Sequence, residues 1–292
     1  MLSKILAVTA FILLAQSAFS LTINDINKAI DAKGANWKAG KTSVWSIPIE
    51  GKMEMMGAPS VQEKEFAFHV PKNGSKDIPS KLDWRNKNGM NYMSPVTNQG
   101  RCGSCVAFAA VGVLEGQINA SNGWPGLNMD FSEQQLFGCG GGSCNRGWYP
   151  GSAASYLKKN GVVDEACLPY TSGSTGENVS CSAACSNASS RKTRILSYQM
   201  VGGWFSSDSD VMKALQDGPL LGTMTVYEDF IAYTGGVYEH VTGGRLGGHA
   251  ITLVGYDNVE NYWIVRNSWG ANWGEGGYFR IRMGDSSGVG NS

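Results

Sequence analysis

The stretch RCGSCVAFAAVGVLEG, residues 101–116, decides the fold of this chain. It places Cys102 and Cys105 on either side of two small residues, and residues 106–114 carry no charge. An apolar run without a polar face is typical of a helix that is buried in a protein core. The sequence therefore predicts a buried helix over residues 105–119 that begins at Cys105.

A cysteine at a helix start can act as a nucleophile, because the positive end of the helix dipole favours the thiolate. A neighbouring histidine would hold the thiol proton and pass it later to a leaving amine. His249 follows two glycines and enters an apolar strand, whereas His240 lies in a polar loop and His69 lies near the N-terminus. Asn267 follows a further predicted strand, and its amide oxygen can orient an imidazole.

A zinc or redox site is the competing interpretation of the Cys-x-x-Cys spacing. Zinc would require further paired cysteines or histidines, and the nearby candidates, Cys139 and Cys144, lie among glycines. We therefore expect no metal and no cofactor. The chain has seven cysteines, so six can pair and one is left over. Spacing alone permits about fifteen pairings of six cysteines.

Three motifs together resemble the papain-like cysteine proteases: CGSC at 102–105, GGHA at 247–250 and NSWG at 267–270. The resemblance covers nearly the whole chain. It implies four catalytic residues: Cys105 as nucleophile, His249 as base, Asn267 as the residue that orients the histidine, and Gln99 as oxyanion donor.

The resemblance also implies which residues contact substrate and which cysteines pair. The substrate-binding residues would be Gly103, Gly147, Gly248 and Trp269. Trp269 would also shield the hydrogen bond between His249 and Asn267 from water. The cathepsin B-like pattern implies three disulfides: Cys102 with Cys144, Cys139 with Cys181, and Cys167 with Cys185. Cys105 would then remain free.

Three features point to the cathepsin B-like branch: Gly248 before the histidine, WKAG at 37–40 and CSAAC at 181–185. In that branch an inserted loop with two histidines occludes the cleft and confers removal of dipeptides from C-termini. This chain has no histidine between Cys144 and Cys181. We therefore expect the loop to be absent and the enzyme to cleave within chains.

Two positions depart from the family pattern. Val106 stands where the family has tryptophan, and Arg146 replaces the first glycine of a pair that binds substrate backbone. These departures are the residual support for an alternative function, a catalytically impaired homologue that acts as a binding protein, whereas Cys105, His249 and Asn267 are all present. A transpeptidase or ligase that uses the same nucleophile also stays open.

The order of the predicted elements indicates the fold class. Helical patterns dominate between residues 82 and 190, with predicted helix starts at Ser132 and Ser152, and strand and turn patterns follow. A helical half followed by a strand-rich half is typical of an α+β fold with two subdomains. The resemblance implies a papain-like fold, with a helical left half, a β-barrel-like right half and the active-site cleft between them.

Residues 1–20 have the pattern of a secretory signal peptide: Lys4, an apolar run over residues 5–15 and small residues at 18–20. A membrane anchor is the alternative, but the run is short for a bilayer core of about 30 Å. Residues 21–77 contain no cysteine, and Ile23, Ile26 and Ile30 are spaced for one face of a helix with Thr22 as a candidate N-cap. This segment is interpreted as an inhibitory propeptide, with a small independent domain as the alternative. Residues 78–292 would form the peptidase domain.

Basic and acidic residues number 24 each, so charge gives no reason to expect nucleic acid or a membrane surface as partner. We expect peptide or protein substrates, the propeptide as inhibitor, and a monomer that is secreted or located in a lysosome or vacuole. Candidate glycan sites are the four Asn-x-Ser sequons at Asn73, Asn119, Asn178 and Asn187. Acid would weaken the pairing of propeptide carboxylates with the body: Glu50, Glu54, Glu63 and Glu65.

Overall fold

The computed structural model describes residues 21–59, 68–69, 77–201 and 207–289. The predicted signal peptide at 1–20 lies outside these residues, as do Glu63, Glu65 and Asn73. None of the described helices is long and apolar enough to cross a membrane.

The N-terminal segment, residues 21–59, contains α1 (Ile23–Lys33), β1 (Trp37–Ala39) and α2 (Ile49–Glu54). Thr22 caps α1 as predicted: its hydroxyl accepts from the Asp25 N–H, and the Asp25 carboxylate accepts from the Thr22 N–H. Ile26 and Ile30, one turn apart, are the buried residues of this helix. The cap fixes where the helix begins, and the spacing of the isoleucines fixes which face packs on the body.

The helical half contains α3 (Cys105–Asn122), α4 (Glu133–Gly140), α5 (Pro150–Lys159) and α6 (Ser172–Thr175). α3 is longer than predicted and ends at Gly123, which adopts the left-handed conformation with φ 66°. Ser132 caps α4 as predicted, accepting from the Gln135 N–H. α5 begins two residues before the predicted start at Ser152, because Pro150 tolerates the first helical position, where its missing N–H is not needed.

The strand half contains β3 (Lys81–Asp83), α7 (Asp208–Leu215), β5 (Leu220–Tyr227), β6 (Tyr233–Tyr238), β7 (Arg245–Asp257), β8 (Tyr262–Arg266) and β9 (Tyr278–Arg282). One sheet has the strand order β1-β6-β9-β8-β7-β3, and β5 also pairs with β7. A separate two-stranded sheet joins β2 (Phe68–His69) to β4 (Gln199–Met200). β7 begins before the predicted start, so His249 lies inside this strand, opposite Met224, and not at its entrance.

Two groups of buried residues form the interior. The larger group lies around the sheet and includes Trp263, Trp273 and Phe279 together with Trp37 of the N-terminal segment. The smaller group surrounds α3. Val106 is fully buried there among α3, α4 and α5, so valine is accommodated at the position where the family has tryptophan.

Candidate active site

Cys105 is the first residue of α3, as the sequence predicts. It is fully buried, and it is the free cysteine of the described residues. The backbone N–H of Ala250, on β7, donates to its sulfur at 3.4 Å. α3 and β7 therefore place the thiol where the helical half meets the sheet.

The three predicted disulfides are present, and they join Cys102 to Cys144, Cys139 to Cys181, and Cys167 to Cys185. The first bridge lies beside the thiol, where the Gly103 N–H also donates to the Cys144 carbonyl at 2.9 Å. The loop before α3 and the loop after α4 are thereby fixed to one another.

His249 on β7 and Asn267, the residue after β8, come together at neighbouring positions of the sheet. The His249 Nε2 lies 2.8 Å from the Asn267 Oδ1. The Asn267 Oδ1 also accepts from the Ser268 N–H at 2.8 Å, which fixes the amide orientation. The other ring nitrogen of His249, Nδ1, is buried without a hydrogen-bond partner among the described residues. This nitrogen is therefore free to take the thiol proton.

Burial changes the proton affinity of both reacting groups. It raises the pKa of Cys105 to about 11, although the N–H groups of Ala250 and Gly57 lower this pKa in part. Burial lowers the pKa of His249 to about 4, which the bond to Asn267 opposes. Both shifts favour the neutral thiol and the neutral imidazole, so the closed site holds little thiolate.

Gln99 lies beside Cys105, and its side chain is held at both ends. Its Oε1 accepts from the Ser268 hydroxyl at 2.6 Å. Its Nε2 donates to the Cys102 carbonyl and to the Met55 carbonyl, each at 2.9 Å. An amide fixed in this way presents its N–H without reorganisation, as an oxyanion donor requires.

Residues 55–59, which we call the cleft segment, lie across this site. The Trp148 N–H donates to the Gly57 carbonyl at 2.8 Å, and the Ala58 N–H donates to the Gly248 carbonyl at 3.2 Å. A Cβ built on Gly57 would lie 1.9 Å from the Gly103 carbonyl oxygen, and one on Gly147 would lie 2.0 Å from the Gly57 oxygen. Only glycine backbone allows so close an approach.

The cleft segment contacts three of the four predicted substrate-binding residues: Gly103, Gly147 and Gly248. The fourth predicted residue, Trp269, stays a prediction. Trp269 is only 1% exposed, and its ring packs 5.0 Å from the His249 ring and 5.0 Å from the Trp273 ring. A side chain buried in this way excludes water from the histidine.

Two supporting residues were not found from the sequence. The Tyr170 hydroxyl donates to the Gln99 carbonyl at 2.8 Å and lies 2.6 Å from the Ser104 hydroxyl. Ser268, the residue after Asn267, donates through its hydroxyl to the Gln99 Oε1 at 2.6 Å. Tyr170 gave no signal in the sequence, because it is 65 residues from Cys105. Ser268 was visible inside the NSWG motif, but nothing in the motif indicated its partner.

A buried acidic cluster, also missed, lies behind Asn267. Arg266 contacts Glu115 at 3.9 Å, and Ser94 donates to the same carboxylate. Burial raises the pKa of Glu115 to about 7, which Arg266 opposes. Burial and the nearby Glu115 charge raise the pKa of Glu133 to about 8. The residue before Asn267 is thus anchored to a carboxylate whose pKa is raised towards neutrality.

The predicted charge pairing of the propeptide is wrong for Glu50 and Glu54. Both carboxylates are exposed and form no ion pair with the described residues. In the observed ion pair the charges are reversed, since the N-terminal segment supplies the cation. Lys33 of α1 contacts Glu239 of the body at 3.4 Å. Lys33 also donates to the His240 carbonyl at 2.8 Å.

One predicted glycan site, Asn119, is excluded by burial. Its side chain is 0% exposed and donates to the Tyr92 and Leu127 carbonyls, each at 3.0 Å. A buried amide whose nitrogen already donates two hydrogen bonds cannot carry a glycan in the folded chain. Asn178 and Asn187 are exposed.

Comparison with known proteins assigns the family. Residues 78–292 match the papain family of cysteine proteases. Cathepsin B-like CP3 of Giardia intestinalis is 35% identical and covers 95% of each chain. Cathepsin B-like cysteine proteinase 4 of Caenorhabditis elegans is 32% identical over 97% of this chain and 93% of its own. Among solved structures, proCathepsin B S9 from Trypanosoma congolense has a TM-score of 0.74 at 24% identity and covers 91% of this chain and 94% of its own.

The chain therefore belongs to the papain family of cysteine proteases, and it is a cysteine peptidase by class. Within the family it resembles cathepsin B-like proteinases over most of its length, as the motifs predicted. The predicted α+β, papain-like fold is also confirmed.

Proposed function

We propose that this protein is a cysteine endopeptidase that uses Cys105, His249 and Asn267 and is made as a zymogen. One observation supports the catalytic assignment above all others. The free cysteine at the start of α3 accepts a hydrogen bond from the residue next to His249, and His249 is oriented by Asn267.

The chemistry follows from these positions. The Cys105 thiol passes its proton to His249 Nδ1, and the thiolate attacks the substrate carbonyl carbon. The negative charge that forms on the carbonyl oxygen is stabilised by the Gln99 Nε2 and the Cys105 backbone N–H. The imidazolium returns the proton to the leaving amine, which departs as the C–N bond breaks. Water then adds to the thioester, giving a carboxylic acid and regenerating the thiol.

Residues 21–77 act as the inhibitory propeptide in this proposal. The cleft segment supports this role because it occupies the backbone contacts of Gly103, Gly147 and Gly248 that a substrate needs. The Met55 carbonyl also takes the hydrogen bond of Gln99 Nε2. A segment in this position blocks both substrate binding and the oxyanion donor.

A thiol-directed epoxide tests the catalytic assignment. The processed enzyme should lose all turnover after one equivalent reacts, with the label on Cys105. Cys105→Ala and His249→Ala should each lower kcat/KM by about 10³-fold or more. His240→Ala is the matched control, because His240 pairs with Asp229 away from the thiol. Full turnover by Cys105→Ala would contradict the mechanism and favour the binding-protein alternative.

Cleavage within chains is the second part of the proposal. It is supported by the lack of histidine between Cys144 and Cys181, where the dipeptide-removing relatives carry their occluding loop. Paired substrates with free and amidated C-termini test it. Equal cleavage of both at internal bonds is the expected result, and dipeptides released only from the free form would contradict it.

Entry into the secretory pathway, by a signal at residues 1–20, completes the proposal. Three disulfides support it, because such bonds form in oxidising compartments. Expression in a eukaryotic host should give an N-terminus near Leu21 and protein in the medium or in an acidic organelle. A cytosolic protein that still begins at Met1 would exclude entry into the secretory pathway.

A further inference from the structure

Two loops form one wall of the cleft, and we call this wall the disulfide rim, residues 101–103 and 144–147. The Cα atoms of Cys102 and Cys144 are 4.4 Å apart. Each loop places one glycine, Gly103 or Gly147, against Gly57 of the cleft segment. Any polypeptide that follows the same path therefore passes directly over this rim.

Each loop of the rim also carries an exposed arginine. Arg101 precedes Cys102, and Arg146 precedes Gly147. Within the described residues, neither guanidinium lies within 4.0 Å of a carboxylate. Five other arginines do form such ion pairs: Arg85, Arg191, Arg266, Arg280 and Arg282. The rim thus presents two cationic side chains whose charge is not neutralised locally.

Acidic residues do come near the rim, but only through their backbone. The Glu177 carbonyl lies 3.7 Å from the Cys144 sulfur. The Glu54 carbonyl lies 3.4 Å from the point that a Cβ on Gly103 would occupy. Neither carboxylate reaches Arg101 or Arg146 within 4.0 Å.

The backbone that carries Arg146 is held firmly. The N–H groups of Arg146 and Gly147 both donate to the Ser143 carbonyl, at 3.1 and 2.7 Å. The Cys144 N–H donates to the Asn178 side chain at 2.8 Å. Together with the disulfide, these bonds fix the tip of the loop. A guanidinium carried on a fixed backbone stays within reach of a chain that crosses the rim, and it offers paired N–H donors to a carboxylate.

We propose that Arg101 and Arg146 form a binding site for an acidic side chain of the substrate. The site selects polypeptides that carry Asp or Glu where the chain crosses the disulfide rim, at or next to the place of Gly57. This inference rests on the proposed peptidase function and names its substrate class. Because both arginines are exposed, each contact contributes a few-fold, and the two together about fivefold to tenfold in kcat/KM.

The test uses the processed enzyme and peptides that differ only in Glu or Gln, placed in turn at each position on both sides of the cleaved bond. The Glu to Gln ratio of kcat/KM should reach about fivefold at one position or at two adjacent ones, and it should fall towards one at about 1 M salt. The ratio should also fall towards one in the double variant Arg101→Gln, Arg146→Gln. Arg194→Gln, which removes an exposed arginine elsewhere, should keep the wild-type ratio.

A charge reversal provides an independent measurement. The double reversal Arg101→Glu, Arg146→Glu should invert the preference, so that a peptide with Lys at the selected position becomes a better substrate than its Gln counterpart. Equal rates for Glu and Gln at every position in the wild type would overturn the site, as would an unchanged ratio in the double variant. Turnover of the Gln peptides by the wild type tests the peptidase function separately. Its absence would count against that function, and its presence without a Glu preference would count against this site alone.

Discussion

The N-terminal segment meets the two halves of the molecule in different ways. On the strand half it inserts side chains into the core: Ile26, Ile30, Trp37, Val44 and Met55 are all buried there. β1 also extends the sheet by pairing with β6. Against the buried core of the helical half it places only Ala58, and it crosses the cleft by backbone contacts between glycines.

The two kinds of contact have different roles: one holds the N-terminal segment on the body, and the other covers the cleft. Apolar burial and strand pairing hold the segment, since these contacts remove the most apolar surface from water. The cleft crossing contributes little apolar burial but occupies the groups that the proposed mechanism uses. Anchoring and blocking should therefore respond to different substitutions.

The largest increase in the rate of Cys105 labelling is expected from Trp37→Ala, which removes the main side chain that holds the N-terminal segment on the strand half. Trp37 is 4% exposed, and its ring packs 5.1 Å from the Tyr238 ring. Truncating a buried tryptophan costs about 3–5 kcal/mol, so epoxide labelling of Cys105 in the full-length chain should become at least about a hundredfold faster. Trp124→Ala is the control, because Trp124 is 49% exposed on the body. Equal labelling rates for Trp37→Ala and the wild type would show that the anchor lies elsewhere.

Gly57→Ala should open the cleft while the N-terminal segment stays bound to the strand half. The added Cβ would lie 1.9 Å from the Gly103 carbonyl oxygen, so the cleft segment must move away. We expect Cys105 labelling about tenfold faster, with Trp37 still protected from solvent quenching of its fluorescence. Gly151→Ala is the control, since a Cβ there meets nothing within 4 Å. Loss of Trp37 protection together with the block would contradict the division of tasks.

The anchoring contacts were predictable from the sequence only in part. The spacing of Ile26 and Ile30, the Thr22 cap and the WKAG stretch indicated a folded propeptide, because helix signals are local. The position of the cleft segment was not visible, because no motif marks the fit of Gly57 against Gly103 and Gly147. The same holds for Glu115, Glu133 and Tyr170, whose partners are distant in sequence. The catalytic motifs were visible because each is a short, specific run.

The pH dependence of stability should report on the body of the protein, because the buried carboxylates Glu115 and Glu133 lie there and not in the N-terminal segment. Burial raises the pKa of Glu115 to about 7 and that of Glu133 to about 8, both above the usual carboxyl value of 4.5. The folded state therefore binds protons that the unfolded state releases, and the stabilisation is complete below about pH 4.5 and lost as pH rises towards 8. In a Cys105→Ala background, Tm should fall over this window, and it should fall less in Glu133→Gln.

Glu177→Gln, which changes an exposed carboxylate, is the control for this pH profile. A slope that is identical in Glu133→Gln and the wild type would show that Glu133 does not titrate in this range.

The smallest increase in the rate of Cys105 labelling is expected from Lys33→Ala. The ion pair between Lys33 and Glu239 is 3.4 Å long, but the lysine side chain is 46% exposed. Exposed pairs contribute about 0–1 kcal/mol, so Cys105 labelling should become at most about fivefold faster, and high salt should erase the difference. Lys28→Ala, on the same helix and without an ion pair in the described part of the chain, is the control. A change as large as that of Trp37→Ala would mean that charge holds the segment.

The pairing of β1 with β6 has a consequence for how activation proceeds over time. While the chain is intact, β1 and β6 belong to one molecule, so the effective concentration of β1 at the sheet edge is high and does not depend on the enzyme concentration. Once the chain is cut, the same strand becomes a separate molecule, and its return to the vacated edge depends on dilution. Activation should therefore be self-limiting in a crowded vesicle and complete after release into a large volume. A single cut thus converts a permanent inhibitor into one whose strength depends on the compartment.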